Sequence, residues 1–109
     1  MAGSSNAENT NVFPVWALMP DECRLIRAHA EELISSGCAL KIWESKKRAY
    51  ACVFDIHGAP FTIMRVGRFL HLLDRSGGLL TISEDLGGIW EELDAVLLDV
   101  RSAFVESPD

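Results

Sequence analysis

The sequence predicts an α+β fold: an N-terminal helix, an antiparallel meander sheet of four to five strands, and a C-terminal amphipathic helix. Three observations carry this. Apolar residues recur at helical spacing near both ends of the chain, short β-like runs rich in Val, Ile, Phe, Trp and Tyr fill the middle, and the connections between those runs are brief. Connections this short hold no crossover helix, so neighbouring strands pair antiparallel and a parallel nucleotide-binding sheet is disfavoured.

The first helix is expected over 21–36, where Cys23, Ile26, Ala30, Leu33 and Ile34 share one side at about 100° per residue. Pro20 suits its first turn, Asp21 and Glu22 complement the positive end of the dipole, and Gly37 is placed to end it in a left-handed cap. Strands follow at 40–45, 49–56, 61–66, 69–73 and 79–82, separated by Lys46-Lys47-Arg48, His57-Gly58-Ala59-Pro60, Gly67-Arg68 and a turn ending in Gly77-Gly78. The last helix is expected to take Ser83 as N-cap with Glu84 and Asp85 in its first turn. Leu86, Ile89, Trp90, Leu93, Val96, Leu97, Val100 and Phe104 then form a continuous stripe. Gly87 and Gly88 each weaken the first turn by about 1 kcal/mol relative to Ala, which points to a late start or a close backbone approach.

The chain has 109 residues and a hydrophobic fraction of 49%, enough for one core and too little for several domains. Residues 1–11 read as a disordered tail and 12–106 as one domain. The tail lacks the basic and apolar regions of a secretory signal, and the apolar run at 12–19 is broken by Pro14 and is shorter than the roughly 20 residues of a membrane span. Cys23, Cys38 and Cys52 form no close pair, which disfavours a disulfide framework or a zinc site and suggests a cytoplasmic protein. Cys23 and Cys52 read as buried and Cys38 as exposed.

The net charge of −6 excludes a strongly basic footprint for nucleic acid or membrane, but it is unevenly divided. Residues 41–75 carry seven basic and three acidic side chains, whereas 76–109 carry one basic and eight acidic. The order of a helix, antiparallel strands and a helix is also that of double-stranded-RNA-binding domains. That family reads phosphates with lysines at the start of its second helix, where this chain has Glu84 and Asp85, so nucleic acid is disfavoured as a partner.

The strands are apolar on both sides. Tyr50, Cys52, Phe54 and Ile56 alternate with Ala49, Ala51 and Val53, so both sheet faces need cover. The expected function follows: a small self-associating protein-interaction module, an adaptor, inhibitor or regulator, that forms a homodimer or higher oligomer and needs no cofactor or metal. Its partner-binding residues are expected to be Trp43, Ala51 and Val53 on the second sheet face. A second contact is Leu98 and Val105, which leave the main stripe of the last helix beside Arg101. A small-ligand pocket between sheet and helix is the alternative. A weaker polar site would use Asp55, His57 and His71, although Asp55 and His57 also suit a plain turn. His29 reads as a surface histidine.

Overall fold

The computed structural model describes residues 17–106, so the expected tail at 1–11 lies outside the described residues. Its order is α1 (Pro20–Ser35), β1 (Lys41–Glu44), a 3-10 turn (Lys46–Arg48), β2 (Tyr50–Phe54), β3 (Pro60–Val66), β4 (Phe69–Leu73), β5 (Leu79–Ser83) and α2 (Leu86–Glu106). The five strands form one antiparallel sheet in sequence order, the meander that the short connections require.

Both helices lie on the same face of that sheet. α1 packs on β1 and β2 and α2 on β4 and β5. Between the layers sits a single core in which Ile26, Ala30 and Leu33 of α1 and Ile89, Leu93 and Leu97 of α2 meet Ala51, Val53, Phe61, Ile63, Leu70 and Leu72 of the sheet. The strand register aligns these residues in rows, such as Ile42, Val53 and Phe61, or Ala51, Ile63 and Leu72. Small side chains at Ala30 and Ala51 favour close approach of helix to sheet.

Local chemistry sets the ends of α1. Glu22 Oε1 accepts a hydrogen bond from the Met19 amide at 2.8 Å, and Pro20 occupies the first turn. At the other end the Gly37 amide donates to Ile34 O at 3.1 Å and the Cys38 amide to Leu33 O at 2.9 Å, with Gly37 at φ +82°. This is a Schellman cap, and it explains why Cys38 is buried rather than exposed: the residue after the left-handed glycine folds back onto the helix's last apolar turn, beside Leu33.

The start of α2 corrects its expected cap. Ser83 ends β5, and Asp85 caps the helix through its Oδ1, which accepts from the Gly88 amide at 3.1 Å. Ser83 Oγ accepts from the Asp85 amide instead, at 3.2 Å. Gly88 is required by contact, since a Cβ there would lie 2.3 Å from Ser83 Oγ. Farther along, the apolar stripe ends before Phe104, which is exposed because α2 runs past the edge of the core.

The 3-10 turn is not a freely solvated tip. Arg48 Nε donates to Leu18 O and the Leu18 amide donates to Arg48 O, both at 2.7 Å, so the segment before α1 is clamped to the β1–β2 hairpin. Lys47 and Arg48 take φ of 61° and 58° to make this possible, at a cost of roughly 1 kcal/mol each that burial of Leu18 offsets.

Candidate functional site

With both helices on one side, the other face of the sheet is uncovered by any described residue. Strand register lays its side chains out in rows. One row runs Trp43, Cys52, Thr62, Leu73, Leu79, and the next runs Tyr50, Met64, His71, Ile82. Trp43 is 48% exposed, and Phe69, Leu79 and Ile82 are exposed as well. The Trp43 and Tyr50 rings contact each other at 5.7 Å between centroids, and Lys41 lies over the Phe54 ring at 4.9 Å. Lys41, in a third row with Phe54 and Pro60, is the one lysine, arginine or carboxylate that these three rows hold; their other polar side chains are Tyr50, Thr62 and His71.

Trp43 therefore lies on the open face as expected, but Ala51 and Val53 do not. They are fully buried beneath the helices and are unavailable to a partner. The open side of β2 carries Tyr50, Cys52 and Phe54. The strand alternates as expected, with Cys52 and not Ala51 or Val53 on the face of Trp43. The signal that identifies the helix-covered side lies in the strands beyond β2, where Phe61 and Ile63 alternate with Thr62, and Leu70 and Leu72 with His71. Leu98 is half exposed and Arg101 exposed, on the solvent side of α2 and so on the opposite side of the molecule from Trp43. The Val105 side chain lies outside the described residues.

The three residues of the expected polar site are not brought together. His71 sits on the open face between Met64 and Ile82. His57 is exposed, its ring edge-on to Phe104 at 5.4 Å. Asp55 is completely buried and builds the β2–β3 turn, its Oδ1 accepting from the His57 amide at 2.8 Å and the Ala59 amide at 3.0 Å. Its other oxygen, Oδ2, has no hydrogen-bond partner. Asp55 also lines a cleft of about 290 Å³ with Phe61, Asp74, Arg75, Ser76, Leu80, Val96 and Val100, a concavity between sheet, turns and α2.

Asp74 repeats the Asp55 turn two hairpins later. Its Oδ1 accepts from the Ser76 amide at 2.9 Å, the Ser76 hydroxyl at 2.8 Å and the Gly78 amide at 2.8 Å. The Ser76 hydroxyl and then these amides hold its carboxyl below the ordinary carboxylate value. A lowered folded value means that the stability Asp74 contributes is complete above the unfolded value of about 3.9 and is lost as pH falls through the folded one. Asp74→Asn is accordingly expected to lower the urea midpoint at about pH 7, with the gap to the unsubstituted chain narrowing as pH falls through the folded value. A gap that keeps its full size as pH falls would refute this.

Two further titratable groups, His29 and Cys23, are taken up in the packing. His29 is a helix-to-helix contact rather than a surface residue: its ring stacks on Trp90 at 4.1 Å and Nε2 lies 2.8 Å from Asp94 Oδ1. Burial pushes the Cys23 thiol up, which leaves it a poor nucleophile. All three cysteines are buried and unpaired. Among the described residues no cluster of three or more His, Cys, Asp or Glu could hold a metal, and no helix is long and apolar enough to cross a membrane. No protein-family model, curated protein or solved structure matches the chain.

Proposed function

We propose that the protein is a small protein-interaction module, an adaptor, inhibitor or regulator, that self-associates by stacking the open face of its sheet on that of a second copy. The observation that supports this is the placement of both helices on one face, which leaves Trp43, Phe69, Leu79 and Ile82 exposed on or beside the other. Monomers seldom expose contiguous apolar surface beyond a few hundred Å². Sparse charge in the strand rows suits a two-fold contact, because an isologous interface sets each residue near its own copy and like charges would repel. The described part of the segment before α1 does not compete for this face, since Leu18 is committed to the core on the helix side.

Light scattering after size exclusion tests the proposal. The unsubstituted chain is expected to run at twice its 12.0 kDa mass, and Trp43→Glu to run as a monomer, with a dimer dissociation constant raised at least about 100-fold, the scale of an interface hot spot. Leu98→Glu is expected to leave the dimer intact. A dimer broken by Leu98→Glu and spared by Trp43→Glu would move the seam to α2, and a monomeric unsubstituted chain at about 100 μM would reject self-association, since a standard-size interface of about 1,600 Å² generally binds at micromolar or tighter.

A further inference from the structure

We propose that the cleft floored by Asp55 is a binding site for a primary ammonium group carried on an apolar stem. The two aspartate turns make the argument. Asp55-Ile56-His57-Gly58 and Asp74-Arg75-Ser76-Gly77 are built alike: the fourth residue's amide donates to the aspartate carbonyl at 2.9 Å in each, and each aspartate Oδ1 accepts from the amides two and four residues on. The Asp74 turn is complete with its carboxylate near the surface. Asp55 does the same local work with Oδ1 alone, so burial of its Oδ2 adds nothing to the turn. A buried carboxylate oxygen without a donor is costly, and native proteins seldom keep one without a use.

The surroundings select the donor. Phe61, Leu80, Val96 and Val100 supply an apolar wall, and Asp74, held ionised by its own turn, adds a second negative charge. Arg75 also borders the cleft but is solvent-exposed and forms no ion pair among the described residues, so it leaves the floor to a ligand. Oδ2 exposes less than 1 Å², so a donor reaches it only as the turn above it gives slightly, which favours the most compact cationic donor. An ammonium, with three N–H groups around a point charge, suits that opening better than a planar guanidinium. A metal ion would lack ligands, because the cleft offers two carboxylates and, among the described residues, no third His, Cys, Asp or Glu beside them. The cleft lies on the helix side of the sheet, opposite Trp43, so its occupancy is independent of self-association.

Titration of the full chain with n-alkylammonium ions, followed through the amide resonances of His57 and Ala59, tests the site. Affinity is expected to rise about fourfold per methylene from methylammonium to n-butylammonium, and n-butanol and butyrate are expected to bind at least about tenfold more weakly than n-butylammonium. Asp55→Asn retains the Oδ1 acceptor and is expected to lower n-butylammonium affinity at least about tenfold with its far-ultraviolet spectrum unchanged. The comparison of n-butylammonium with n-butanol needs no variant and stands if Asp55→Asn fails to fold. Equal binding of n-butanol, no shift at His57 and Ala59, or n-butylammonium binding that appears only in Arg75→Ala would each overturn the proposal, the last by making Arg75 the partner of Oδ2.

Discussion

Glu22→Ala is expected to destabilise the fold by about 3 kcal/mol, among the largest losses available from a single polar side chain. Glu22 joins three parts of the molecule. Its Oε1 accepts from the Met19 amide that opens α1 and from Arg65 Nε at 3.2 Å, and its Oε2 is paired with Arg65 Nη2. Arg65 in turn donates to Gly67 O at 3.1 Å in the β3–β4 turn. The two side chains are only 16% and 15% exposed, so truncating Glu22 strands a guanidinium out of water. Arg65→Ala should cost a comparable amount, whereas the double variant should cost much less than the sum of the two. The exposed Arg24–Asp21 pair, at 2.7 Å and with its side chains 68% and 77% exposed, is the control and should contribute under about 0.5 kcal/mol. Urea denaturation of the four chains decides it, and a Glu22→Ala loss below about 1 kcal/mol would show that water reaches Arg65 freely.

Leu93→Ala is expected to cost about 3 to 4 kcal/mol, and Leu98→Ala on the same helix less than about 0.5. The chemistry of the two changes is identical. Leu93 is fully buried at the centre of the α2 stripe, facing the core that the sheet and α1 share, while Leu98 is 50% exposed on the opposite side of the helix. Only the first change leaves a cavity between rigid layers. Since a domain of this size is stable by about 5 to 15 kcal/mol, Leu93→Ala combined with Glu22→Ala is expected to unfold the chain at room temperature or bring it close to unfolding. A Leu93→Ala loss within error of that for Leu98→Ala would mean that α2 is seated differently.

The sequence displays much of this fold because its signals are local. The apolar spacing of α1, the left-handed glycine after it, the turn residues and the short connections act within a few residues of chain, and the antiparallel order follows from them. What it conceals depends on contacts between distant segments. The choice of sheet face is not written in β2, whose two sides are both apolar; it follows from the register, which sets Ala51 and Val53 beside Ile63 and Phe61 of β3. His29 looks like a surface residue until Trp90 and Asp94 arrive from the far end of the chain. Asp55 is legible as a turn residue; that one of its oxygens is buried and unpartnered is decided by how α2 and the β4–β5 turn close over it.

The meander order has a kinetic consequence. Each strand pairs with its neighbours in sequence, α1 packs on the two strands that follow it and α2 on those that precede it, so most of the structure forms across short loops. Contacts of that kind cost little closure entropy and favour rapid folding for a mixed fold. Contacts between distant segments remain, among them Leu18 to Arg48, Arg27 to Glu44, Glu22 to Arg65, and His29 to Asp94. β3 stands at the middle of this order, with α1, β1 and β2 before it and β4, β5 and α2 after it, and the stack of His29 on Trp90 joins the two sides.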